Sequence, residues 1–289
     1  MTETPQNSPG SLDALMPPAM AAACEAAGVT KAGRDAVTLL MLGLLAGAFI
    51  AFGAVFMTAV LTGSAELPWG VARLLGGLAF SLGLVLVIAG GAELFTGDTL
   101  MIVAYASGRI GLSALVRAWI LVYVGNIGGA VGTAALVFLA GQYAFNGFGV
   151  AKTALTIASA KAALPTIELF FLSLLCNVLV CLAVWMSFGA RSMTDKVMVI
   201  VPPIAAFVTA GFEHSIANLY FLPYGLAVKN WGGPQMWSAI GQSAAEYPAL
   251  TASAALHNIL VATVGNLVGG SVMVGAVYWF VYLRRSVGR

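Results

Sequence analysis

The chain has 289 residues, 60% of them apolar and only 8% charged, a balance no water-soluble domain needs to bury its core, so most of its surface is expected to face lipid. The net charge is only +2 and the basic residues are dispersed, which argues against nucleic acid as a partner. Cys24, Cys176 and Cys181 lack the paired spacing of a zinc site or a secreted disulfide framework and read as structural.

In chain order, residues 1–10 are polar and read as a loose tail, whereas 16–28 is Ala-rich, carries prolines at 17 and 18 where a helix can start, and ends at Gly28. This predicts a short helix on the membrane surface, packed under the bundle or binding a partner. No basic stretch followed by an apolar run and a small-residue cleavage site opens the chain, so a removable signal peptide is not expected. Uncharged windows at 36–61, 74–92, 118–139, 169–190 and 259–283 are near or above the ~20 residues that cross a bilayer as helix. A sixth apolar region, 197–228, is long enough but holds Pro202, Pro203, Glu213 and His214, and predicts an interrupted span. With six spans and both ends on one side, Lys31, Arg34, Arg109, Arg117, Arg191, Lys196, Arg284, Arg285 and Arg289 fall together, opposite Arg73, Lys152, Lys161 and Lys229. The excess of basic residues places both termini in the cytoplasm. The expected division is a cytoplasmic segment 1–30, a channel domain 31–284 and a cytoplasmic tail 285–289.

The two halves carry matching patterns. Gly91-Ala92-Glu93-Leu94-Phe95-Thr96-Gly97-Asp98 interrupts the second span and Gly211-Phe212-Glu213-His214-Ser215 the fifth, both opening Gly-x-Glu. Gly125-Asn126-Ile127-Gly128-Gly129 in the third span matches Gly265-Asn266-Leu267-Val268-Gly269-Gly270 in the sixth. Three spans per half make the repeat inverted, an arrangement used for transport. Non-helical backbone at membrane depth must face protein or a water-filled cavity. The half-helix ends created there offer free N–H groups and a partial positive charge that suit an anion.

His214, beside Glu213, Ser215 and Asn218 in an interrupted span, is assigned to the pathway, since ionisable groups at that depth are functional by default. Thr96 supplies a hydroxyl at the other break, with Leu94 and Phe95 forming an apolar constriction next to it. Glu93 and Asp98 are expected to cap helix ends. Asn177 lies mid-span, where its amide serves as interhelical glue or faces a cavity. Lys161 is placed at the outer entrance, drawing anions inward or snorkelling at the surface, and His257 is read as interfacial. No Walker loop, dinucleotide fingerprint, nucleophile elbow or His-rich cluster points to an enzyme or a cofactor.

The segments 91–98, 176–187 and 211–218, with Ala-Ser-Gly-Arg-Ile at 106–110 and the Tyr-Trp near the end of the last span, together resemble the formate/nitrite transporter family over about residues 16–283. The resemblance implies an all-α membrane protein: an aquaporin-like protomer of six helices in an inverted 3+3 repeat, with helices 2 and 5 broken, assembled as a homopentamer in a bacterial inner membrane. It implies a channel for formate or a related small monovalent anion, with nitrite or hydrosulfide as the alternative substrate and proton exchange at the central histidine. Carried over by position, His214 and Thr96 form the pore centre with Glu213 adjacent. Leu94 and Phe95 belong to the loop at the first break. Phe80, Leu84, Phe207 and Val180 line constrictions, and Asn177 and Lys161 border the path. Formate channels of the family carry small hydroxylated residues where this chain has Gly97-Asp98. The expected partners are the anion, protons, membrane lipid, further copies of the chain and, through the N-terminal segment, a cytoplasmic formate-metabolising enzyme.

Overall fold

The computed structural model describes residues 13–284; the tails expected at 1–10 and 285–289 lie outside the described residues. Among those described there is no strand, and six helices are long and apolar enough to cross a membrane.

Helix α1, Pro17–Ala32, starts on its two prolines. It runs four residues beyond the stop expected at Gly28, because that glycine is a contact and not a terminator: a Cβ there would lie 2.9 Å from the Ala104 methyl. The helix is docked, with Ala21, Cys24 and Gly28 buried. Helix α2, Ala36–Leu61, is capped by the Asp35 carboxylate, which accepts from the Thr38 amide at 3.0 Å. Helix α3, Trp69–Gly90, begins directly after Pro68, so Arg73 belongs to the helix and not to the connection before it.

Gly91 adopts φ 74°, a left-handed conformation that ends α3. The chain resumes helix as α4, Phe95–Asp98, a 3₁₀ turn at Thr99–Met101, and α5, Ile102–Ala106. Helix α6, Leu112–Leu139, admits Arg117 in its second turn because that guanidinium reaches the Arg34 carbonyl at 3.0 Å. Helix α7, Gly149–Ala162, has 14 residues and carries Lys152 and Lys161, and is too short to span a bilayer. Helix α8 is Thr166–Gly189.

Helix α9, Met193–Ala210, opens with a capping box between Ser192 and Asp195. Pro202 and Pro203 lie inside it, so the prolines do not interrupt the fifth span; the interruption follows Gly211, at φ 80°. Helix α10, Ser215–Trp231, and the short α11, Gly233–Ile240, follow. The last span runs from α12, Ala252–Val268, through a π-helical stretch at Gly269–Ala276 into α13, Val277–Tyr282.

With lipid-like side chains on both sides of every contact, association depends on close packing and not on hydrophobic burial. Gly43 of α2 therefore meets Gly125 of α6, Gly47 meets the α6 backbone at Asn126 and Ala130, Gly129 meets the α2 backbone at Leu44 and Ala48, Gly53 of α2 meets Gly83 of α3, and Gly265 and Gly269 lie against α8. The outward face is apolar, with Leu44, Phe52, Ile120, Phe171 and Leu260 exposed.

A Cβ added at Gly125 would sit 2.5 Å from the Leu40 carbonyl and 2.9 Å from Gly43 Cα. Gly125→Val is expected to cost about 1–3 kcal/mol or more by overpacking, read as a lower thermal unfolding midpoint in detergent. Gly132→Ala on the same helix meets nothing within 4 Å and is expected to leave that midpoint unchanged or raise it.

Candidate functional site

At each interruption the exposed backbone is taken up by one asparagine. Asn126 of α6 accepts from the Phe95 amide at 2.9 Å and donates to the carbonyls of Gly43 at 2.7 Å and Glu93 at 3.0 Å. Asn266 of α12 repeats the pattern: it accepts from the Ser215 amide at 2.8 Å and donates to the carbonyls of Ser173 at 2.7 Å and Glu213 at 3.0 Å. Both are fully buried. The Glu93 and Glu213 amides are matched too, donating to Leu42 at 3.2 Å and Leu172 at 3.3 Å. The Gly-Asn motif was visible in the sequence; that its amide holds the interruption open was not, because its partners lie 31 to 93 residues away.

So held, α4 and α10 bring Thr96 and His214 together, with Thr96 Oγ1 2.9 Å from His214 Nε2. His214 is the N-cap of α10, and its Nδ1 accepts the Ala217 amide at 3.1 Å. An accepting Nδ1 fixes the neutral ring in the tautomer with its proton on Nε2, so Nε2–H donates to Thr96. The His214 ring stacks 6.0 Å from Phe207, which meets Phe80 edge-on at 5.8 Å.

On one side of this pair lies a cavity of about 250 Å³ whose wall includes Arg73, Phe80, Lys161, Phe207, Glu213 and His214. Beyond it the space narrows to about 10 Å³ within a ring of Ile50, Phe80, Leu84, Leu94, Val180, Ile204, Phe207 and His214. That is about the smallest void that holds one water, and the ring's other seven side chains are apolar, so it is dry. The structure thus brings together Leu94, His214 and all four expected constriction residues, and adds Ile50 and Ile204, which the sequence does not distinguish from ordinary core.

Of the other expected residues, Thr96, Phe95, Asn177 and Asn218 line neither space and stand behind the lining. Asn177 is fully buried and donates to the carbonyls of Thr96 at 3.1 Å and Asn266 at 2.6 Å, tying the two interruptions together. Asn218, also buried, donates to Glu213 Oε2 and to Asn258, each at 2.7 Å. Phe95 packs edge-on against Tyr123 at 5.0 Å and is not among the residues lining either space. Lys161 lines the cavity but is paired with Glu213 Oε1 at 2.8 Å, so it is neither a free cation nor a snorkelling one. His257 is exposed, with Nε2 3.0 Å from Thr166 Oγ1.

Glu93 and Asp98 do not cap helices. Lys31 reaches Glu93 at 2.6 Å and Asp98 at 2.5 Å, and Arg34 bonds the other oxygen of Glu93. Their partners are 59 and 67 residues distant, and no local pattern announces them. Among the described residues, no cluster of three His, Cys, Asp or Glu side chains is placed to hold a metal.

Six membrane-capable helices, four of which line a cavity and the dry ring that meets it at a buried histidine, define a channel-type membrane transport protein. The family model described as "Formate/nitrite transporter" matches residues 18–280, and the chain belongs to that family. It is 41% identical over 275 residues to the formate channel FocA of Escherichia coli K12, covering 95% of this chain and 96% of that one. Against FocA of Haemophilus influenzae it is 41% identical over 248 residues, covering 85% and 87%. A solved structure titled "Pentameric formate channel with formate bound" superposes with TM-score 0.82 at 43% identity, covering 86% of this chain and 98% of that chain. An "FNT family ion channel" does so with TM-score 0.77 at 28% identity, covering 91% and 98%.

Asn126→Ala strands the Phe95 amide and the Glu93 carbonyl, and Asn266→Ala the Ser215 amide and the Glu213 carbonyl, at about 1–3 kcal/mol per group. Both are expected to lower the thermal unfolding midpoint in detergent by several degrees and by comparable amounts. A variant as stable as the parent would show that its asparagine is dispensable.

Proposed function

We propose that the chain is a formate channel of a bacterial inner membrane, assembled as a homopentamer in which each protomer conducts through its own interior. The observation that carries the reading is His214, which lines both the 250 Å³ cavity and the dry ring and is bonded at 2.9 Å to Thr96 behind it. The FocA relatives and the formate-bound pentamer support the substrate and the assembly. The matched hydrogen bonds of Asn126 and Asn266 support an inverted 3+3 repeat with spans 2 and 5 broken. The charge distribution supports cytoplasmic termini.

The obstacle to conduction is moving a charged carboxylate into the ring, for which the idealised desolvation cost is of order 20 kcal/mol before relaxation. Thr96 Oγ1–H, left free because Thr96 accepts from His214, meets the anion where its water is stripped, and His214 Nε2–H joins it by turning from Thr96 to the anion. Beyond hydrogen bonding, transfer of a proton removes most of the cost by letting neutral formic acid cross.

The cap bond sets a condition on that transfer. With Nδ1 accepting from Ala217, His214 holds one proton and offers a hydrogen bond only. To give up its Nε2 proton it must first gain one on Nδ1, which breaks the bond to Ala217. Formate then takes the Nε2 proton, leaving formic acid and a neutral imidazole protonated on Nδ1. Acid on the cavity side drives this sequence and favours uptake of formate with a proton; without it the channel passes the anion.

In liposomes holding the purified protein, formate flux is expected to rise as the pH on the cavity side falls. His214→Asn should abolish that pH dependence while retaining a hydrogen-bonding side chain. Thr96→Val is expected to cut flux about tenfold, the loss of one good hydrogen bond, and Thr96→Ser to restore most of it. A pH-sensitive His214→Asn variant would remove proton exchange from the mechanism. Nitrite or hydrosulfide outrunning formate would reassign the substrate within the family.

A further inference from the structure

Four ionisable side chains line the 250 Å³ cavity: Arg73, Lys161, Glu213 and His214. Lys161 and Glu213 neutralise each other at 2.8 Å, and His214 in its capping tautomer is uncharged. The net positive charge of the cavity therefore belongs to Arg73.

This residue is held from two directions. Nη2 donates to the Val208 carbonyl at 2.6 Å and Nε to the Thr209 carbonyl at 3.3 Å, at the C-terminal end of α9. Free carbonyls and a partial negative charge gather there. The guanidinium also lies 5.8 Å from the Trp69 ring centre. These contacts use two of its five N–H donors. No carboxylate lies within 4 Å of it among the described residues, and both Nη1 donors lack a protein partner there.

We infer that Arg73 is the anion-capturing and anion-sorting residue of the cavity, binding a planar two-oxygen anion through the free edge of its guanidinium before the anion reaches His214 and Thr96. The fork matches two oxygens held in one plane, as in formate or nitrite, whereas chloride and hydrosulfide present a single round acceptor and forfeit the second bond. A lysine at the same place would supply charge without the fork. Lys161 then keeps Glu213 neutralised, so that the carboxylate does not repel the incoming anion. The inference rests on the conduction proposed above.

The test is flux of formate and of hydrosulfide into liposomes holding the full-length protein, titrated in substrate and in an impermeant salt, for the parent, Arg73→Gln and Arg73→Lys. Glutamine keeps an amide donor for the Val208 carbonyl, and the unfolding midpoint of each variant is read alongside. Arg73→Gln is expected to raise the half-saturating formate concentration about tenfold, more than it lowers the limiting rate, and to flatten its salt dependence. Arg73→Lys should recover the salt dependence but lose several-fold in formate preference over hydrosulfide, an outcome that a purely structural role would not produce. Unchanged half-saturation in folded Arg73→Gln, or unchanged anion preference in Arg73→Lys, overturns the inference and leaves conduction standing. If Arg73→Gln fails to fold, the preference of Arg73→Lys decides. Absence of formate flux through the parent protein removes the conduction reading, and this inference with it.

Discussion

Backbone inside a membrane has no water to satisfy it, and a chain that interrupts two of its helices there must find protein partners for every amide and carbonyl so released. Asn126 and Asn266 meet that constraint. Each gives one side-chain oxygen to an amide and two N–H donors to carbonyls, closing the gap between the end of one helix and the start of the next. Glycines let them approach: without the bare backbone at Gly43, Gly47, Gly125 and Gly129, α2 and α6 would stand too far apart for one amide to span them. The placing of Thr96 against His214 follows from these two side chains.

The correspondence extends to charge. Glu93 and Glu213 occupy the same place in the two interruptions, and each is answered by a lysine in the last turn of a short helix preceding the half: Lys31 of α1 and Lys161 of α7. Where the halves diverge, chemistry appears. Leu94 is the N-cap residue of α4 where His214 is that of α10, and Thr96 stands where the second half has Ile216. The proposed repeat thus builds two equal frames and furnishes them unequally, so that one contributes an imidazole, the other a hydroxyl, and the pair exists only where they meet.

What the sequence disclosed follows the range of the interactions involved. Helices long enough to cross a bilayer, the glycines at 91 and 211, and an isolated His214 in apolar surroundings are local signals, and the structure places helices and turns accordingly. Pro202 and Pro203 read as breakers but lie within α9, because a break needs a partner set for its freed backbone and that set, supplied by Asn266, is found three to five residues past the helix end, at Glu213 and Ser215. Glu93 and Asp98 read as caps because their ammonium partner comes from α1, outside the spans. Phe95 shares a motif with Leu94 and Thr96, yet the first turn of α4 sends it toward Tyr123 and away from the ring. In the sequence Arg73 bears only on orientation, since its value depends on Lys161 being already spent on Glu213.

The dry ring has a consequence for the energetics of the membrane that houses it. Hydronium charge crosses proteins fastest by hopping along a file of hydrogen-bonded waters. A void of about 10 Å³ walled by Phe80, Leu84, Leu94, Val180, Ile204 and Phe207 breaks any such file at its narrowest point. In the proposed channel the ring must part for each solute, so that between transits the ion gradient stored across the bilayer is not short-circuited.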